Sequence, residues 1–208
     1  MDAFWTSLFI TVLSVAIIIL CTSMCAWYIS RVKNKFTTGL YFLCLFSMIV
    51  PFQMVMFTLS KLADMLHLGN PLGIVVVYLG FGAGLSVFMF CGFVKSIPLE
   101  IEEAARVDGA NKLQVFGKVV LPIVAPGVVA VAIYTFINAW NEFLYSLILM
   151  NSSDKMTVAV ALKSLGGQEV MDWGVMMAAS ALVVVPSVVF FMLIQKKIAG
   201  GLAQGSIK

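Results

Sequence analysis

Acidic side chains cluster in one short stretch of this 208-residue chain: Glu100, Glu102, Glu103 and Asp108 are four of its ten carboxylates. Around them the spacing predicts two short helices joined by a sharp turn. Ser96 suits an N-cap and Pro98 a first helical turn. The glutamates crowd the positive end of that helix. Glu102 and Arg106 stand at i,i+4, a pair that contributes a few tenths of a kcal/mol, about 0.3–0.5. Gly109 suits a left-handed helix end, and Asn111 with Gln114 three residues later resembles a second capping signal. A rigid, acidic-headed helix pair fits a groove on a partner protein and can transmit a push to the segments beside it. The plainer alternative is a solvated connector, which would need only a few polar residues.

Other chemistry-bearing residues read as structural. Cys21, Cys25, Cys44 and Cys91 all lie in apolar segments with no histidine or carboxylate nearby, as expected of buried thiols packing like small apolar groups. His67, the single histidine, falls on a short loop. Gly80, Gly82 and Gly84 lack the third glycine spacing of a nucleotide loop, because Leu85 occupies that position and no strand precedes them. Gly80-x-x-x-Gly84 instead suits close approach of a second helix. Asn151-Ser152-Ser153 matches a glycosylation sequon. Pro51 and Pro186 fall mid-segment and predict kinks.

The elements that must hold these residues follow from the distribution of charge. Hydrophobic residues make up 62% of the chain and charged residues 11%, with a mean hydropathy of +1.05. Soluble domains carry about a quarter charged residues, so a soluble enzyme and a disordered chain are both excluded. The net charge of +3 is too small for a nucleic-acid binder. There are 28 uncharged residues between Asp2 and Arg31, 25 between Lys35 and Lys61, 23 between Lys118 and Glu142, and 23 between Asp172 and Lys196. From Met65 to Val94 the chain holds His67 and no Asp, Glu, Lys or Arg. A bilayer core takes about 20 apolar helical residues to cross, so the windows predict an all-α, polytopic membrane helix bundle. Its five transmembrane helices span about 6–28, 38–59, 72–94, 119–148 and 173–195, within a single transmembrane domain over 1–208. The first is expected to remain as a span rather than be cleaved as a signal peptide, since no Lys or Arg precedes it.

Ten of the 13 basic residues fall on one set of connections: Arg31, Lys33, Lys35, Lys95, Arg106, Lys112, Lys118, Lys196, Lys197 and Lys208. Lys61, Lys155 and Lys163 fall on the other. The positive-inside rule assigns the first set to the cytoplasm, with the N-terminus outside and the C-terminus inside. Trp5, Trp27, Tyr28 and Trp173 sit near span ends, where interfacial aromatics belong. Polar residues within spans mark a candidate substrate path: Gln53, Thr58, Ser86, Asn138 and Asn141. For these, interhelical hydrogen bonding is the plainer role. Such uncharged amides and hydroxyls suit a neutral sugar better than an ion. Glu142 lies roughly 35 Å above Val119 along a straight helix, at the outer interface, where holding a helix end is at least as natural as touching substrate.

Glu103-Ala104-Ala105, three residues, Gly109, nine residues, then Val119-Val120-Leu121-Pro122 resembles the EAA motif of ABC importer permeases, with Val119 where that family usually has Ile. Ile97-Pro98-x-x-Ile101-Glu102-Glu103-Ala104-Ala105-x-x-Asp108-Gly109-Ala110 is closer to the carbohydrate permeases than to the amino-acid ones. Trp140-Asn141-Glu142-Phe143 and the tail Gly200–Lys208 are similar to the maltose-type members. The resemblance implies a type I ABC importer permease core in a bacterial-type cytoplasmic (inner) membrane. It implies a second permease subunit, two cytoplasmic ATPase subunits and an extracytoplasmic solute-binding protein as partners, and a sugar or oligosaccharide as solute. Glu102, Glu103, Ala104, Ala105, Arg106, Asp108, Gly109, Leu121 and Pro122 would then form the ATPase-coupling surface. Glu103 would face a basic group, the alanines would permit close packing, and the glycine-rich tail would reach toward the ATPases. This chain would hold no cofactor or metal, with ATP and Mg on its partners. Relative to that family the chain begins just before the second span. The alternatives are an importer permease for another solute such as amino acids, and a stand-alone channel or secondary transporter. The latter would usually show paired interrupted helices or an intramembrane ion site.

Overall fold

A computed structural model of the chain describes residues 2–150, 156–165 and 173–205, with side chains described up to Gln195. Every regular element among these residues is helical. The Asn151-Ser152-Ser153 sequon lies outside the described residues.

Helix α1, Asp2–Arg31, runs uninterrupted for 30 residues. Asn34 then opens α2, Lys35–Ile49, with a capping box: its side chain accepts from the Thr37 amide, and the Thr37 hydroxyl accepts from the Asn34 amide. The second predicted span is broken rather than kinked. Val50 is extended, and α3, Phe52–Met65, leaves α2 at 106°. Pro51 explains both halves of this. It restricts the preceding residue to extended conformations, and its missing N–H is harmless at the start of the next helix. After α3, His67 takes a positive φ of 54°, and the Asn70 side chain accepts from the amides of Leu72 and Gly73. That cap opens α4, Pro71–Lys95.

The fourth predicted span is also divided. After α5 (Leu99–Val107) and α6 (Lys112–Val115) come a π turn at Phe116–Val120 and a single turn α7, Leu121–Ile123. Helix α8, Ala125–Asn141, departs at 78°. Pro122 and Pro126 bracket the bend. Neither can donate to the carbonyl four residues back, and for Pro122 that carbonyl, of Lys118, lies inside the π turn. A second break at Glu142–Phe143 leads to α9, Leu144–Leu149, followed by α10, Val158–Leu165. Helix α11, Trp173–Gly205, continues through Pro186 without a break and carries the helix into the stretch read as a tail.

Among the described residues, three helices are long and apolar enough to cross a membrane, and the two bent pairs bring the number to five if each is one span. The chain packs as two compact units, one comprising 1–15, 51–79 and 134–196 and the other 16–50, 80–133 and 197–208. Neither is contiguous in sequence.

In the first unit, α8 and α11 are joined by Phe136 stacked on Phe190 at 3.8 Å and by the Trp140 indole N–H donating to the Val183 carbonyl at 3.0 Å. The Ser7 hydroxyl accepts from the Val158 amide at the head of α10. In the second unit, Gly84 lets α4 lie against α2: a Cβ there would come within 2.5 Å of Ser47 Oγ and 2.6 Å of the Cys44 carbonyl. Gly80, its expected partner in that contact, faces open space. Of the cysteines, Cys91 is buried and Cys21 is exposed, so only the former clearly packs as a core residue.

Candidate functional site: the acidic loop and its anchor

Residues 96–124, in the second unit, form the loop singled out by its carboxylates. Ser96 does not cap α5. Its hydroxyl donates back to the Phe93 carbonyl, and Pro98 is the N-cap residue, without a side-chain bond. At the other end Gly109 has φ +87°, and the amides of Gly109 and Ala110 donate to the carbonyls of Arg106 and Ala105. This paired ending is the Schellman pattern, which needs a left-handed residue. Asn111 and Gln114 then form the expected reciprocal capping box, at 2.8 and 2.9 Å. Beneath lies a core of Val94, Ile97, Val115, Phe116, Val120 and Val124.

Glu102 and Glu103 lie on different faces of α5, the first buried and the second exposed. Glu103, Ala104, Arg106, Asp108 and Gly109 are exposed, with Ala105 half-buried against the core cluster. Leu121 is half-buried and Pro122 exposed. Glu102 is fully buried, at 0% exposure. It does not pair with Arg106 as the local spacing predicts. Its Oε1 instead accepts from Arg31 Nε at 2.8 Å and lies in ion-pair contact with Nη2 at 2.7 Å, and its Oε2 accepts from Trp27 Nε1 at 3.0 Å. Arg31 Nη2 also donates to the carbonyls of Val94 and Ile97. A buried carboxylate is tolerable only when paired and hydrogen-bonded in this way. Arg31 and Trp27 are therefore site residues that the sequence concealed. Trp27 reads as an interfacial aromatic and Arg31 as an orientation charge. Their separation of four residues on one face of α1 was the available signal. The Trp27 ring also packs on Phe116 at 5.6 Å.

The candidate path residues differ in their surroundings. Gln53, Thr58, Asn138 and Asn141 are exposed in the single chain. Asn138 and Asn141 donate to carbonyls one turn back, those of Tyr134 and Ile137. Ser86 is buried, with its hydroxyl donating to the Gly82 carbonyl. Of the five, Asn141 alone lines a described groove, of about 350 Å³, with Trp140, Phe143, Leu162, Lys163 and Val183. Glu142 holds a helix end, as expected, but the end is that of α9. Its Oε2 accepts from the amides of Tyr145 and Ser146 at 2.9 and 3.3 Å. The straight-helix distance from Val119 does not apply across the 78° bend.

The model for the inner membrane component of binding-protein-dependent transport systems matches residues 18–203. The chain belongs to that family. The probable starch degradation products transport system permease protein AmyC of Thermoanaerobacterium thermosulfurigenes is 31% identical over 207 residues, covering 100% of this chain and 76% of the relative. The multiple sugar-binding transport system permease protein MsmG of Streptococcus mutans is 30% identical, over 99% of this chain and 76% of its own length. Among solved structures, a bacterial ABC transporter that imports the acidic polysaccharide alginate superposes with a TM-score of 0.72 at 22% identity, over 100% of this chain and 75% of that one. The MetNI methionine ABC transporter gives the same TM-score at 17% identity, over 95% and 94%. The fold is thus that of an ABC transporter permease, and it is shared by transporters named for unlike solutes.

Proposed function

We propose that this chain is a permease subunit of an ATP-binding-cassette importer for a sugar or oligosaccharide, engaging a cytoplasmic ATPase through α5. The observation that carries this reading is the two-sided α5: Glu102 is rooted in the protein while Glu103, Ala104, Arg106 and Asp108 stand free beside a fixed turn at Gly109. A helix held firmly on one face and bare on the other is built to receive a partner. The naming of AmyC and MsmG as sugar-system permeases supports the solute class. The alginate importer supports it less, because the methionine importer has the same fold.

In this reading the chain lies in the bacterial inner membrane as a multi-pass protein, with the α5 loop and C-terminus in the cytoplasm. It pairs with a second permease, two ATPase subunits and an extracytoplasmic binding protein. ATP and Mg are bound by the ATPases, and this chain supplies the gate. Gln53, Thr58, Asn138 and Asn141 carry the amide and hydroxyl groups suited to a neutral saccharide, whereas Ser86 has its hydroxyl committed to its own helix. Glu103→Lys tests the proposal in the reconstituted importer. The variant is expected to reach the membrane normally but to lose solute-stimulated ATP hydrolysis and transport. Wild-type transport by a normally assembled complex would overturn the coupling assignment.

A further inference from the structure

Glu102 draws all of its described side-chain partners from α1, and the same guanidinium that binds it reaches two carbonyls at the α4–α5 junction. One arginine thus ties three chain segments around a fully buried carboxylate. We propose that Arg31 and Trp27 are positioning residues of the coupling loop: they clamp α5 to the end of α1, so that a displacement delivered to the Glu103 face moves α1 instead of being absorbed in the loop. This rests on the reading of α5 as the ATPase-coupling helix.

The physical basis is the asymmetry of adjacent residues. Glu102 and Glu103 are about 100° apart around α5, from 3.6 residues per turn, so the outward face and the clamp share the same turn. A fork-shaped guanidinium with its Nε–H on one carboxylate oxygen and its Nη2 on two backbone carbonyls, reinforced by an indole N–H on the other carboxylate oxygen, fixes orientation as well as distance. Lysine at position 31 would keep the charge but could not span the carboxylate and both carbonyls. Helix α1 is continuous to Asp2, so it has no break that would dissipate the motion.

The test uses the full importer, with both permeases, the ATPases and the binding protein, in proteoliposomes. Glu102→Gln keeps the shape and removes the charge. Arg31→Lys keeps the charge and removes the fork. Trp27→Phe removes only the indole donor and retains a ring against Phe116. Solute moved per ATP hydrolysed is counted per assembled complex. A ratio at least about fivefold below wild type is expected for Glu102→Gln and Arg31→Lys, the lower end of ordinary coupling between sites, with a smaller drop for Trp27→Phe. A purely structural role would lower the yield of complex and leave the ratio at its wild-type value, and that result overturns the proposal. If Glu102→Gln and Arg31→Lys do not assemble, Trp27→Phe decides, and a wild-type ratio there overturns it. Glu103→Lys is run alongside. If it keeps solute-stimulated ATP hydrolysis and transport at wild-type levels, the coupling reading itself fails. If it alone loses coupling, only the role of Arg31 and Trp27 fails.

Discussion

Two glycines in α4 differ in what surrounds them. A methyl group at Gly84 would press on Ser47 Oγ, the Cys44 carbonyl and Met48 Cγ, all within 2.8 Å, whereas at Gly80 it would meet nothing. Gly84→Ala is therefore expected to destabilise the protein by about 1–3 kcal/mol, the usual cost of overpacking. Gly80→Ala is expected to be neutral or to stabilise by up to about 1 kcal/mol through helix propensity. Thermal unfolding of the purified variants in detergent checks both. Gly109 is a different case, because its φ of +87° is the constraint and space is not. Gly109→Val should impair transport in vesicles more than Gly109→Asn, since asparagine tolerates the left-handed region and a β-branched residue does not.

At the scale of the element, α9 begins on a carboxylate. Replacing Glu142 with alanine removes the acceptor for the Tyr145 and Ser146 amides. A loss of about 0.5–2 kcal/mol is expected, as for other N-caps, while Glu142→Gln, which keeps an acceptor, should lose less. Denaturation midpoints of the two variants give the comparison. The capping signals at Asn111 and Gln114 and the turn at Gly109 were legible because each depends on residues no more than five apart. The breaks after Ile49 and Ile123 were not. A proline inside an apolar window is compatible with a kink, a break or an unbroken helix, and Pro51 and Pro186 realise two of those outcomes. Which one occurs depends on what packs against the neighbouring carbonyls, and one window of sequence does not contain that. The same holds for Glu102. Arg106 is its only basic neighbour within one turn, yet its partner, Arg31, is 71 positions away.

For the whole molecule, charge placement predicts sidedness. Ten basic residues on one set of connections and three on the other lead to the expectation of a cytoplasmic α5 loop. In a cysteine-free background, Val107→Cys, at a position 88% exposed, is expected to react with an impermeant thiol reagent only after the cells are opened. Leu66→Cys, at a position 58% exposed, should react in intact spheroplasts. The opposite pattern would invert the orientation. The five uncharged windows coincide with the long apolar helices and bent pairs among the described residues, because avoidance of buried charge applies along the whole chain, whichever way it later folds. How those helices pair depends on shape, and charge spacing says little about shape.

The ion pair between Arg31 and Glu102 also sets an order in time. Caps such as Asn34 with Thr37 close as soon as their own turn exists. Arg31 is made 71 residues before the carboxylate that will neutralise it. At ribosomal rates of roughly 5–20 residues per second, that is an interval of about 4–14 seconds. Throughout it the guanidinium must stay solvated, and its position on the last residue of α1, next to the polar run Lys33-Asn34-Lys35, is what allows it to wait in water. Closure of the clamp then marks the moment when the first helix and the loop it holds have met, so a nascent chain lacking Glu102 should be recognisable to the quality-control machinery as unfinished.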